Sequence, residues 1–178
     1  MMVAMAAIAG PAAADPINLV VNPGFETGNL TGWSGSGGYV DSSFDEGPNT
    51  GTYAAFFGYV GSLGSISQTI ATTPGGSYTF SFYFASDGGT PNEFQAYFGG
   101  TQVFESLNVP AFGYTLESFT VAATDVNTTI TFSGRNDPSY QALDDVSVTA
   151  NDVPEPATLA VLGSALLGLG TLRRRIRG

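Results

Sequence analysis

The chain has 178 residues, enough for one ordinary domain, and its composition excludes several kinds of chemistry. It contains no His and no Cys, which removes the Ser-His-Asp triad, the thiol nucleophile, disulfides and conventional zinc sites. Arg135 is the only cationic side chain in residues 1–172, against all 15 acidic residues of the chain. Such a charge repels phosphate backbones, so nucleic-acid binding is not expected. With 24 Gly and 10 Pro, a helical bundle is not expected either.

The first residues have the pattern of a secretory signal peptide. An apolar run over residues 1–9 is followed by Ala12-Ala13-Ala14, the small residues typical of a cleavage site. No Lys or Arg precedes the run, which a start further upstream would explain. We therefore predict a signal peptide over residues 1–14, with a disordered Ala-rich terminus as the alternative.

Residues 15–152 predict one all-β domain. Short apolar or alternating runs are separated by turn residues such as Pro74-Gly75-Gly76 and Gly99-Gly100. No stretch of this region has helical periodicity. We predict strands near residues 17–21, 53–59, 65–71, 77–85, 93–98, 101–105, 115–122, 128–133 and 142–149.

Strict alternation within three of these strands predicts which side chains are buried. The outward positions of these strands carry Ser, Thr, Gln, Glu and Tyr. Because each of the three strands has one strongly apolar face, we expect all three to be central in their sheets. The predicted core positions are Tyr78, Phe80, Phe82, Phe84, Phe94, Ala96, Phe98, Ile130 and Phe132.

The C-terminal segment, residues 153–178, predicts a membrane anchor. Residues 157–172 carry no charge and are followed by Arg173, Arg174 and Arg175. As a helix this run would span about 24 Å at 1.5 Å per residue, and flanking arginines can snorkel to reach the interface. The positive-inside rule places the arginines in the cytoplasm and the predicted domain outside. The alternative is a buried core helix.

Pro154-Glu155-Pro156, the short apolar run and the terminal Arg cluster together resemble the PEP-CTERM sorting signal. In that family the tail is recognised by exosortase, a membrane protease-transpeptidase of Gram-negative bacteria that make exopolysaccharide. The resemblance implies export, a transient inner-membrane anchor, processing near Pro154–Pro156, and delivery to the cell surface or extracellular matrix.

The opening NLVVNPGFETGNLTGW, the segment SISQTI and the closing YQALDDVSV resemble jelly-roll carbohydrate-binding modules of the galactose-binding-like type. The resemblance implies a single β-sandwich. It also implies that Gly24, Glu26 and Asp144 surround a structural calcium ion, whose preferred ligands are oxygen atoms. Asp144 has the parity of Val146 and Val148, so we expect its carboxylate on the core side. The alternative is a hydrogen-bonded structural aspartate.

One set of outward residues predicts a platform for a glycan. Tyrosine rings stack on sugar rings, and amide and guanidinium groups bind hydroxyls. The residues are Tyr83, Gln95, Tyr97 and Arg135; the alternative is that such aromatics only fill the outer surface of the sandwich. Trp33, the only Trp, is expected to pack against the core beneath residues 22–27.

The sequence as a whole predicts an exported, non-enzymatic surface or matrix protein associated with exopolysaccharide through weak glycan binding. One alternative is a purely structural matrix protein without a ligand site. The other is a polysaccharide hydrolase, which needs two carboxylates at a fixed separation. Its candidates are Asp87, Glu93, Glu105 and Glu117, and nothing in the sequence pairs them.

Overall fold

The computed structural model describes residues 16–43 and 47–151. The predicted signal peptide, sorting motif and membrane helix therefore lie outside the described residues. Within the described ranges, no helix is long and apolar enough to cross a membrane.

Ten strands form the described structure. They are β1 (Ser34–Gly35), β2 (Tyr39–Asp41), β3 (Ala54–Phe57), β4 (Gly64–Ala71), β5 (Ser77–Ser86), β6 (Asn92–Phe98), β7 (Thr101–Leu107), β8 (Phe112–Ala122), β9 (Asn127–Asn136) and β10 (Gln141–Ala150).

The strands form two five-stranded sheets. The first sheet has the order β1-β4-β9-β6-β7 and the second sheet has the order β2-β3-β10-β5-β8. All pairings between neighbours are antiparallel. The prediction of an all-β sandwich is confirmed, and β5, β6 and β9 occupy inner positions as expected.

The core lies between the inner faces of the two sheets and is mainly aromatic. β5 alternates between buried and half-buried positions, as its sequence predicts. Phe82 lies near the centre, where its ring centroid is within 6.3 Å of five other phenylalanine rings. Burial of each such side chain contributes about 1.5–3 kcal/mol before entropy is counted. Every predicted core position is buried.

Trp33 packs where the sequence predicts. It is 7% exposed, its indole Nε1 donates to the Asn22 carbonyl at 3.2 Å, and its ring contacts Phe25 and Phe132. The chain entering the domain is thereby fixed to the core.

The prediction of a strand over residues 17–21 is wrong. Only an isolated bridge joins Asn18 to Thr149. The side-chain Nδ2 of Asn18 donates a hydrogen bond to the Val146 carbonyl, and its Oδ1 accepts hydrogen bonds from the backbone amides of Val20 and Val148. Because this side chain replaces part of a backbone ladder, the segment is tied to β10 without forming a regular strand. The sequence also gave no indication of β1 and β2, which are only two and three residues long.

Replacing Phe82 with Ala tests the aromatic core. We expect the free energy of unfolding to fall by about 3–5 kcal/mol, because the substitution removes buried surface and leaves a cavity. Leu116→Ala is the control, since Leu116 lies on edge strand β8 and is 52% exposed. Urea denaturation measures both changes, and equal losses in the two variants would contradict the assignment of the core.

Candidate functional site

The outer face of the first sheet is polar across four adjacent strands. Ser65 on β4, Ser133 on β9 and Gln95 on β6 are cross-strand neighbours, and Gln95 continues the row to Glu105 on β7. We call this surface the polar face. Its outward residues are Ser65, Ser67, Thr69, Glu93, Gln95, Tyr97, Glu105, Thr129, Thr131, Ser133 and Arg135.

Gln95 is the centre of a hydrogen-bond network on the polar face. Its Nε2 lies 2.6 Å from Glu93 Oε1 and 3.4 Å from Glu105 Oε1, so it donates towards two carboxylates. Its Oε1 accepts a hydrogen bond of 2.7 Å from the Tyr97 hydroxyl. The network fixes the rotamer of Gln95 and the position of the Tyr97 ring. A fixed ring beside carboxylate and amide groups can stack on a sugar and bind its hydroxyls.

Hydroxyl pairs extend the polar face towards β4. Ser65 Oγ lies 2.8 Å from Ser133 Oγ, and Thr69 Oγ1 lies 2.9 Å from Thr129 Oγ1. Each pair uses one hydroxyl hydrogen, so further donor and acceptor capacity remains for a ligand. This part of the surface can exchange hydrogen bonds with a polar ligand without a charged group.

Arg135 lies at the end of the polar face, opposite Glu93 on the neighbouring strand. Its guanidinium forms a two-point ion pair with Asp137, with Nε–Oδ1 at 2.6 Å and Nη2–Oδ2 at 2.8 Å. Hydrogen bonding from Arg135, and then from the Gly61 amide, lowers the pKa of Asp137 to about 2. The pair is therefore ionised throughout the physiological pH range.

Tyr83 does not belong to the polar face. It lies on β5 in the second sheet, where its cross-strand neighbours are Leu116 and Asp144. The sequence grouped Tyr83 with Gln95 and Tyr97 because all three point outward, but the outer faces of the two sheets are on opposite sides of the sandwich. The structure brings together Gln95, Tyr97 and Arg135 and separates Tyr83 from them.

Asp144 is fully buried, as expected, but it does not lie on the core side of its sheet. Its neighbour on β5 is the outward-facing Tyr83, whereas Leu143 is paired with the core residue Phe84. A bulge after Asp144, with Asp145 at a φ of 48°, shifts the alternation so that Val146 faces inward again. The parity comparison with Val146 was therefore misleading, because a bulge adds one residue.

Asp144 is covered by residues 47–53 and accepts three backbone hydrogen bonds. The amides of Asn49 and Thr50 donate to Oδ2 at 2.8 and 3.2 Å, and the amide of Asp145 donates to Oδ1 at 2.8 Å. The side chains of Asn49 and Thr50 bind the Asp145 carboxylate, each at 2.7 Å.

Glu26 anchors the same loop from the other side. Its carboxylate accepts hydrogen bonds from the amides of Thr52 and Tyr53. A Cβ built on Gly24 would lie 3.5 Å from Oδ1 of both Asp144 and Asp145 and 3.7 Å from Cγ of Glu26, so two carboxylates and the methylene stem of Glu26 meet at Gly24. We call Glu26, Asp144 and Asp145 the acidic cluster.

The acidic cluster has the donor chemistry of a hard-cation site, which is oxygen only. Burial is the main factor that raises the pKa of Asp144 to about 7, and the Asp145 carboxylate acts in the same direction. A bound cation would stabilise the ionised form of Asp144. However, no group of three acidic side chains in the described ranges is arranged to hold a metal ion. The arrangement shown is the hydrogen-bonded one, in which backbone amides stabilise the carboxylates.

The sequence did not indicate the contribution of residues 49, 50, 52 and 53 to the acidic cluster. Asn49-Thr50-Gly51 predicts only a turn, and nothing local shows that the turn folds over β10. From the sequence, Glu93 and Glu105 were only candidate carboxylates for hydrolysis, and nothing paired them. The register of β6 and β7 brings Glu105 to Gln95, and Glu93 precedes Gln95 by two residues on the same face of β6.

A cleft of about 250 Å³ opens elsewhere, between edge strands β7 and β8. It is lined by Phe98, Thr101, Val103, Thr120, Val121 and Ala122. None of these residues is charged, and none belongs to the polar face or to the acidic cluster.

Two family models match the chain. Residues 17–139 match the family described as "Carbohydrate binding domain", which covers more than half of the chain. Residues 152–175 match the PEP-CTERM protein-sorting motif, which indicates an exported protein that is anchored in the membrane and then processed. No curated protein sequence matches the chain.

The fold is similar to those of solved carbohydrate-binding modules. TmCBM61, solved in complex with β-1,4-galactotriose, has a TM-score of 0.60 and 21% identity over 76% of this chain and 99% of that chain. The CBM22-1 xylan-binding domain of Paenibacillus barcinonensis Xyn10C has a TM-score of 0.56 and 12% identity over 80% and 99% of the two chains. A family 16 carbohydrate-binding module has a TM-score of 0.52 and 19% identity over 74% and 99%.

At these identities the solved structures support the fold alone, and the family model supports the assignment. The predicted resemblances to carbohydrate-binding modules and to PEP-CTERM proteins are both confirmed. The chain belongs to the carbohydrate-binding domain family, and it carries the PEP-CTERM sorting motif at residues 152–175.

Proposed function

We propose that the chain binds a glycan on the polar face and associates with exopolysaccharide at the cell surface or in the extracellular matrix of a Gram-negative bacterium. In this proposal the domain is not catalytic, and exosortase processes the C-terminal motif. The family assignment and the sorting motif support an exported glycan-binding protein.

The observation that carries the proposal is the network of Tyr97, Gln95, Glu93 and Glu105. One aromatic ring and three polar side chains are fixed on an accessible surface by hydrogen bonds of 2.6–3.4 Å. Fixed side chains lose little conformational entropy when a ligand binds, which favours recognition of a weakly interacting sugar. In this network both carboxylates accept hydrogen bonds from a single amide, an arrangement suited to binding hydroxyl groups.

Tyr97→Ala tests the proposed face. For a glycan that retards the wild-type protein, we expect the affinity of the variant to fall at least about fivefold. This corresponds to ~1 kcal/mol and follows from loss of the stacking surface. Tyr83→Ala is the matched control, since it removes the same side chain from the opposite face. Affinity electrophoresis of the full chain in gels containing β-1,4-galactan, xylan or mannan measures both variants. Because the full chain includes the predicted membrane helix, it is kept in a detergent. This detergent must have no sugar head group, which could compete with the glycan. Loss of binding in Tyr83→Ala alone would place the ligand on the second sheet.

We also propose that the acidic cluster binds a structural calcium ion through Gly24, Glu26 and Asp144. The carboxylates of Asp144 and Asp145 lie beside Gly24 with the stem of Glu26, and Arg135, the only cation among residues 16–43 and 47–151, is paired with Asp137 instead. The ion would offset the unfavourable burial of the Asp144 charge and hold residues 47–53 against β10. Its role would be stability, not catalysis.

Thermal melting with and without calcium tests this site. In EDTA the folded protein holds a proton on Asp144 up to about pH 7, whereas the unfolded chain releases it near pH 4. The protonated Asp144 carboxyl therefore makes its full contribution to the free energy of unfolding below about pH 4. This contribution should decrease as the pH rises from about 4 to 7. Calcium at pH 7.5 should raise the melting temperature, and Asp144→Ala should abolish this response. The control variant Asp41→Ala should keep it. Identical melts in calcium and EDTA would leave Asp144 as a hydrogen-bonded structural aspartate.

Deleting residues 173–177 tests the proposed route to the surface. The arginine cluster is one of the three parts of the sorting signal, so the truncated chain should remain unprocessed or be misrouted. Cell fractionation and immunoblotting measure both outcomes. Replacing all four arginines with lysine is the control for charge alone. Normal processing and normal surface arrival of the truncated chain would contradict the proposed route.

A further inference from the structure

Asp137 connects the guanidinium of Arg135 to two loops. It follows the last residue of β9. Its carboxylate accepts two hydrogen bonds from Arg135, from Nε to Oδ1 at 2.6 Å and from Nη2 to Oδ2 at 2.8 Å. Its Oδ1 also accepts a hydrogen bond of 3.1 Å from the Gly61 amide, and its own amide donates to the Pro91 carbonyl at 3.2 Å. Asp137 is thus held by the segments that precede β4 and β6.

The ion pair uses only part of the hydrogen-bonding capacity of Arg135. A guanidinium has five N–H donors, and Asp137 engages Nε and Nη2. Among the described residues, no hydrogen bond involves Nη1. The side chain is 27% exposed and lies on β9 in phase with Thr131 and Ser133 of the polar face. Its Nη1 donors are therefore available at the end of that face.

A free arginine side chain has many rotamers, and fixing one of them on binding reduces affinity. Here the two-point ion pair fixes the planar guanidinium before a ligand arrives. Two loop contacts in turn fix Asp137, so the orientation of Arg135 is set by the fold.

We propose that Asp137 is a positioning residue for glycan binding, which holds Arg135 so that its Nη1 donors reach the hydroxyls of a sugar on the polar face. The inference rests on the proposed glycan-binding function. It assigns to Asp137 an effect on affinity that operates through Arg135 and requires no contact between Asp137 and the glycan.

A double-mutant cycle tests this coupling. The full chain, in detergent without a sugar head group, is compared as wild type, Asp137→Asn, Arg135→Gln and the double variant. The probe is whichever of β-1,4-galactan, xylan and mannan retards the wild type most in affinity electrophoresis. Asp137→Asn should weaken binding about tenfold, which corresponds to ~1.4 kcal/mol. The double variant should bind no more weakly than Arg135→Gln alone. Asp125→Asn, whose carboxylate is bound by the adjacent Val126 amide, is the control.

The outcomes separate this inference from the proposed function. If Asp137→Asn weakens binding equally with and without Arg135, Asp137 does not act through the guanidinium and the inference is wrong. Unchanged affinity in Asp137→Asn overturns it as well. If no glycan retards the wild type, the proposed function fails, and the inference with it. The Arg135 Nε–H resonance gives an independent readout, because Asp137→Asn should shift it and accelerate its exchange; an unchanged resonance would show that the ion pair does not fix the guanidinium.

Discussion

The shortage of positive charge is the constraint on which the domain is built. Arg135 is the only cation in the described residues, so an ionised carboxylate that leaves water must find its partners among backbone amides, polar side chains or a metal ion. The Asp144 carboxylate accepts hydrogen bonds from three backbone amides, and the Glu26 carboxylate accepts them from two. These bonds are the reason that residues 47–53 lie against β10. The acidic residues thus position a loop, and a calcium ion there would strengthen an arrangement that the amides already define.

The same shortage shapes the polar face. Because Arg135 is neutralised by Asp137, the face presents hydroxyls, amides and two carboxylates around one tyrosine ring. Such groups are suited to directional hydrogen bonding with sugar hydroxyls more than to attraction of a charged ligand. The sorting motif adds the location, since it indicates a protein that is exported and processed at the membrane. Together they describe an exported protein with a carbohydrate-binding domain, for which we propose the polar face as the binding surface.

The sequence predicted features that depend on local alternation. The predictions of the aromatic face of β5 and of the inward residues of β6 and β9 are confirmed. A period-two pattern specifies the two faces of a strand wherever no residue is inserted. The position of Asp144 relative to the core was wrong because a bulge interrupts the alternation in β10. Tyr83 was grouped with Gln95 because alternation assigns a face within one strand and gives no information about which sheet the strand joins. That assignment depends on pairing between residues far apart in the chain.

The acidic cluster shows the same limit from another side. Glu26 and Asp144 were recognised from a family resemblance, whereas the covering residues Asn49 and Thr50 were not. Their contacts with Asp144 span more than ninety positions of sequence, and no local pattern encodes them. Asp137 is only two residues from Arg135 in the sequence, but its contacts with Gly61 and Pro91 depend on the tertiary structure.

The most direct test of the account is an NMR titration of the full chain with the exopolysaccharide of the producing bacterium. The account predicts amide shift changes at outward positions of β9 and β6, centred on Thr131, Ser133, Gln95 and Tyr97, with little change on β5 and β8. Changes confined to the second sheet, or no changes at saturating polysaccharide, would contradict the claim that the polar face binds a glycan.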